Sequence, residues 1–497
     1  MATSIPGTTV GRGAASGDIG SRPAIRLLRA LVIVAGISCG ILFVVIGLRC
    51  RLQLYADGSL FSYAVAAQDG WAFHWHNISG RLFVYLLTIV PAEILVGLTR
   101  NAQGGIVLYG FLFFVSPLLG LFVTWLADGS PNRVIFTFAC ASTACFCPLV
   151  FGFPSEMWVA QAVFWPTLAA CHYVCSNIAK SVLIFLMLLA LVFSHEGGLI
   201  LAAVIMVTVL LRGPRSRVFV GTATSLVASL SIWAFVKVAL PPDAYDAPVM
   251  RSAALHFFDT TIFTAYILVL LFAALAGYGI GFAALRRLRP STAHIWAGAL
   301  VAVALSIYWL WFDHALHGEE RYYSRTVLLL ATAALGALAG LFALEAEGRL
   351  KLPVPWLPEL IAMLKAERTV RVVTGAFILI MLIHTVETAK FVRTWTDYTA
   401  AVRMLATNTM SDPALGDPRF VSSARISPDL NRLSWFSTTP YLSILVAPGL
   451  APTRLVVDPT AAYFWLSCET ATASAMADRA VPTQSRRLVR VYACLHR

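Results

Sequence analysis

A chain of 497 residues that is 59% hydrophobic and only 12% charged, with a mean hydropathy of +0.77, lies outside the range of soluble globular proteins. Its net charge of +12 would suggest nucleic acid in a soluble protein. Here the basic residues gather in short loops beside apolar runs, where they set orientation, and no nucleic-acid partner is expected.

The first 26 residues, rich in Gly, Ser and Thr with Arg12, Arg22 and Arg26, read as a disordered cytoplasmic leader. Apolar runs follow at 27–48, 82–98, 105–126, 134–150, 157–174, 179–193, 198–211, 218–240, 262–285, 295–311, 327–344 and 372–385. Runs of about 20 residues match a hydrocarbon core of about 30 Å, and their spacing excludes an outer-membrane barrel. The sequence therefore predicts an all-α polytopic membrane domain over 27–389, with about 11 to 13 transmembrane helices. Basic loops at 211–217 and 286–289, the N-terminus and the mixed-charge segment 345–371 belong to the cytoplasmic face, which sends 390–497 outside. Within 345–371 a Pro-rich stretch and a short amphipathic piece suit a helix lying on that face.

An inside start and an outside end require an odd number of crossings, whereas the apolar runs number twelve. The fault falls between 80 and 212, because the later runs alternate correctly between basic and acidic loops. The suspects are 157–174, which carries Trp165-Pro166 and His172, and the short runs flanking His195-Glu196, which could form a re-entrant pair. From 390 to 497 the composition changes to that of a small extracytoplasmic α/β domain, with strand-like runs at 441–446, 454–457 and 488–492. Cys468 and Cys494 are a disulfide candidate within it; the other cysteines read as small buried hydrophobes.

The loops on the outer face carry the chemistry. Asp57 follows the first run and precedes Gly58-Ser59; it could act as a general base toward an acceptor hydroxyl or cap a juxtamembrane helix, and the two roles are compatible. His74 and His76 lie in the same loop. Glu156 and the His195-Glu196 pair interrupt apolar sequence and would face the same cavity if they lie on that side. A late cluster holds Asp313, His314, His317, Glu319, Glu320, Arg321, Tyr322 and Arg325. An Arg followed by Tyr at the membrane boundary can bind a phosphate through a forked guanidinium, and the same pair could serve only as an interfacial anchor. Asp313, His314, His317 and Glu319 could also ligate a divalent metal, although no metal site or cofactor is firmly predicted.

In layout the chain resembles the integral-membrane GT-C glycosyltransferases, which include protein O-mannosyltransferases, the lipid A aminoarabinose transferase and mycobacterial arabinofuranosyltransferases. The likeness rests on a first span, a long outer loop with an early acidic residue (Asp57), many spans, Arg321-Tyr322 before a late span and a C-terminal outer domain. Where many mannosyltransferase-like members have Asp-Glu, this chain has Asp57-Gly58, and their Pro-Pro-Leu signature is absent. The resemblance implies inverting transfer of a sugar from a polyprenyl-phosphate donor to a cell-envelope acceptor: a glycan, a lipid or a protein. It implies that Asp57 is catalytic and that Arg321, Tyr322 and Arg325 contact the donor phosphate. His74, His76, Glu156, His195, Glu196, His317, Glu319 and Glu320 would line the cavity. The expected setting is a bacterial inner membrane, among membrane lipid, with a cytoplasmic N-terminus and a periplasmic C-terminal domain. A lipid-linked-sugar flippase or transporter, or an O-antigen ligase or polymerase, is the alternative.

Overall fold

The computed structural model describes residues 23–71, 81–146, 156–173, 178–239, 263–290, 292–308, 311, 325–350, 361–408, 415, 418–435 and 437–458. Every apolar run coincides with a helix. These are α1 (Pro23–Arg49), the short α2 (Asp57–Ala67) between runs, α3 (Leu82–Thr99), α4 (Ala102–Ala127), α5 (Val134–Phe146), α6 (Glu156–Tyr173), α7 (Ile178–Val192), α8 (Gly197–Arg212), α9 (Arg217–Ala239), α10 (Phe263–Leu288), α11 (Ala293–Ile307), α12 (Arg325–Ala346) and α13 (Glu367–Thr407). Among the described residues, 6 helices are long and apolar enough to cross a membrane by length and composition, α3 among them.

Helix directions follow from packing. Gly40 of α1 meets Leu118 of α4 and Gly47 meets Phe114, so these two helices are antiparallel. Gly36 and Gly40 meet Cys140 and Thr143, so α5 runs with α1. Gly36 allows this close approach: a Cβ there would stand 2.5 Å from the Cys140 carbonyl oxygen. On α4, Gly120 packs against the backbone of Ala162 and Gly129 faces Tyr173, which aligns α6 with α4. One end of the bundle thus carries Asp57, and the other carries Arg29, which donates to Asn132, together with Arg212.

At the Asp57 end, Gly197 of α8 packs against Met157 and Leu329, and at the other end Arg212 pairs with Glu347. Helices α6, α8 and α12 therefore run the same way, with α7 and α9 returning between them. Ser229 of α9 donates to the Phe185 carbonyl of α7, and Lys237 reaches the α7–α8 turn. Gly277 and Gly281 of α10 face Val301 and Ala297 of α11, which makes that pair antiparallel, and Gly298 faces Val372 on α13. Among the described residues, Pro23 lies toward the Arg29 end, and Thr407, next to Ala406 whose carbonyl accepts the Arg454 amide, lies toward the Asp57 end.

The run 82–98, expected to cross, forms α3, which is long and apolar enough to do so. Arg81, just before α3, binds Glu156 and Glu196, and the Phe83 amide donates to the Phe193 carbonyl. At the far end of α3, Val96 packs on Gly105, near the start of α4, and the Gln68 side chain donates to the Glu93 carbonyl. Both ends of α3 thus contact elements near the Asp57 end, and Tyr85–Ile89 forms a π turn within it. The runs suspected from sequence, 157–174 and the pair around His195-Glu196, form helices α6, α7 and α8.

The boundary at 389/390 falls inside α13, which continues unbroken for 41 residues. Beyond it, β1 (Phe420–Ser422) pairs in parallel with β2 (Leu455–Val457) through Phe420↔Leu455. Between them lies α14 (Thr439–Val446), so the strand expected at 441–446 is a helix. Pro440 sits in its first turn, and every residue of it is buried, which erases the one-sided pattern that separates helix from strand. The run 488–492 and Cys468 and Cys494 lie outside the described residues.

Candidate functional site

Asp57 is the first residue of α2, whose N-cap position is Ala56. Ala56 takes φ 50° and ψ −127°, a region that strains any residue with a Cβ. Its carbonyl is held by Ser59 Oγ at 2.9 Å and by Thr438 Oγ1 at 3.1 Å. Next to it, Tyr55 stands edge-on to Phe391 and Trp395, with ring centroids 5.0 and 5.2 Å away, and Trp395 Nε1 donates to the Cys50 carbonyl at 2.9 Å. The loop that carries Asp57 is therefore clamped from α13 and from the C-terminal segment. Residues Gly58 to Ala66 are all buried, so α2 is a fixed support, and its N-terminal dipole favours an ionised carboxylate.

Tyr109, buried on α4, lies within electrostatic reach of both Asp57 and Glu156. Glu156 opens α6 and is itself buried. Arg81 joins it to the α7–α8 turn: Nη1 is 2.8 Å from Glu156 Oε1, and Nη2 is 3.2 Å from Glu196 Oε2. Lys237, near the end of α9, stands 3.8 Å from Glu196 Oε1. His195 Nδ1 accepts the Gly197 amide at 2.9 Å, which closes the turn that begins α8. Burial alone would raise the Glu196 carboxyl, but Arg81, then His195, then Lys237 outweigh it and hold the group down to about 2.

Asp57, Glu156, His195 and Glu196 thus lie toward one end of the bundle. His74, His76, His317, Glu319, Glu320, Arg321 and Tyr322 lie outside the described residues. Arg325 begins α12, whose Leu329 packs on Gly197 at the same end. Sequence reasoning missed Lys237, Tyr109 and the bridging role of Arg81. A lysine close to the end of an otherwise uncharged apolar run was the available signal for Lys237. Glu93, set beside Pro91 in α3, accepts the Gly70 amide at 2.6 Å and ties α3 to the end of α2.

Among the described residues no group of three or more His, Cys, Asp or Glu side chains is arranged to hold a metal ion, and the segment with Asp313, His314, His317 and Glu319 lies outside them. What the arrangement offers is a fixed carboxylate beside a charge-balanced cluster on one face of an apolar bundle. No family model matches the chain, and no curated protein matches it in sequence.

Proposed function

We propose that this protein is a membrane glycosyltransferase of GT-C type, which moves a sugar from a polyprenyl-phosphate donor to a hydroxyl acceptor outside the cytoplasm. The observation that carries the reading is the seating of Asp57. Its carboxylate begins a buried helix, follows a strained and doubly hydrogen-bonded Ala56, and shares an end of the bundle with Glu156, Arg81 and Lys237. A general base needs such fixation, because proton transfer requires the acceptor hydroxyl within hydrogen-bond reach. Inversion follows if the activated hydroxyl attacks the anomeric carbon opposite the departing lipid phosphate, whose negative charge Arg321, Tyr322 and Arg325 would stabilise.

The charge pattern supports the orientation: Arg212 to Arg217, Arg286 to Arg289 and residues 345–350 and 361–371 adjoin the end opposite Asp57, as the positive-inside rule requires of a cytoplasmic face. The C-terminal segment, with β1, α14 and β2, then forms part of an extracytoplasmic α/β domain that packs on α2.

The test is transfer from a radiolabelled polyprenyl-phosphate sugar by protein reconstituted in vesicles. Asp57→Asn is expected to lower kcat by about 100-fold or more while leaving the fold intact. Undiminished transfer by that variant removes the catalytic role, and movement of the lipid-linked sugar across the bilayer without bond cleavage makes the chain a flippase. Arg321→Ala is expected to raise KM for the donor.

A further inference from the structure

Arg81 and Lys237 both reach the carboxylate of Glu196, the first at Oε2 and the second at Oε1. Two cations that grip the two oxygens of one carboxylate stand at a separation that two oxygens of a phosphate can also bridge. The side chains of Arg81 and Lys237 are 18% and 12% exposed, whereas that of Glu196 is 35% exposed, so the anion is the most accessible member of the trio. Helices α3, α6 and α8 begin near the trio, at Leu82, Glu156 and Gly197, and α7 and α9 end near it, at Val192 and Ala239, so the anion preference rests on the two cations. Two contacts do not depend on the Glu196 side chain: Glu156 holds Arg81 through Nη1, and His195 holds the turn through the Gly197 amide.

We propose that Arg81 and Lys237 form a phosphate seat, and that Glu196 fills it as an internal anion until a phosphate ester displaces its side chain. Arginine supplies the fork and lysine the point charge, while Glu156 keeps the guanidinium oriented during the exchange. Glu196 then acts as a gate on ligand entry. The seat shares with the transferase reading only the premise that this end of the bundle meets phosphate, and it involves no bond cleavage.

The test is isothermal titration of the full chain in a neutral detergent with two probes, dodecyl phosphate and inorganic phosphate. Removing the competing carboxylate by Glu196→Gln is expected to tighten phosphate binding about tenfold, and Lys237→Gln to weaken it about tenfold. Tighter binding of dodecyl phosphate than of inorganic phosphate assigns the seat to a lipid headgroup; equal binding assigns it to free phosphate. Phosphate affinity that is unchanged or weakened in Glu196→Gln overturns the proposal, and this variant alone decides the matter if Lys237→Gln fails to fold. No sugar donor is present in the titration, so its outcome is independent of whether Asp57→Asn abolishes transfer.

Discussion

The two ends of the bundle solve the same electrostatic problem in opposite ways. At the Asp57 end, α3, α6 and α8 present N-termini, and the side chains gathered there include the carboxylates Glu156 and Glu196. At the far end α6, α8 and α12 present C-termini. There Arg212, 11% exposed, donates to the His172 carbonyl, pairs with Glu347 at 3.5 Å and lies 5.9 Å from the Tyr173 ring centroid. The difference lies in what surrounds the charge. Arg212 is enclosed by backbone, ring and a carboxylate that is itself 12% exposed, which makes a lock. In the Asp57-end cluster one carboxylate is three times as exposed, which makes an opening.

The comparison breaks most sharply at Arg81. Arg81→Ala leaves the buried Glu156 without its 2.8 Å partner and is expected to cost about 3 kcal/mol, read as a lowered melting temperature in detergent. A melting curve identical to wild type would mean that the cluster does not join the helices. Arg212→Ala should cost about 2 kcal/mol, since it removes a cation from a carbonyl and from Glu347, yet leave phosphate binding at the Asp57 end unchanged. A parallel loss of phosphate binding would show that the two ends are coupled and not separate devices.

Between the ends, Gly120→Val drives a side chain into the backbone of Ala162 and is expected to cost about 1–3 kcal/mol by overpacking. The smallest effect belongs to Glu196. Because its carboxyl is held below the ordinary range, its contribution to stability is present above the unfolded-state value near 4.5 and is lost as pH falls through about 2. The groups that face it are Arg81, His195 and Lys237, and together with the backbone hydrogen bond at Glu196 they outweigh its burial. The melting-temperature gap between wild type and Glu196→Gln should therefore persist from pH 7 to pH 5 and shrink below about pH 3. A gap that closes near pH 5 would mean that the carboxylate is not held by these cations.

Much of this organisation is legible in sequence because it rests on local composition. Apolar length marked each long helix, whereas the clash between charge pattern and span count did not say where it arose. Residues 82–98 match a span in length and composition, and the contacts that seat α3 are tertiary: Arg81 on Glu156, Glu93 on Gly70, Val96 on Gly105. Arg212 misleads in the same way. In sequence it opens a basic loop and reads as an orienting charge, but the fold folds it inward against His172 and Glu347. Asp57 stood out as a candidate in the sequence because an acidic residue beside an apolar run is uncommon. The strain at Ala56, and the reach of Thr438 from 382 residues away, were not legible there, since both depend on long-range closure.

One further property follows from the length of α13. A helix of 41 residues extends about 60 Å and joins the Arg212 end to the segment whose Thr438 grips the Ala56 carbonyl. It acts as a lever arm: a tilt of about 5° at Glu367 moves Thr407 by about 5 Å, further than a hydrogen bond can stretch. The register of the Asp57 loop is therefore set as much by how this rod is seated at the opposite face as by anything near the carboxylate.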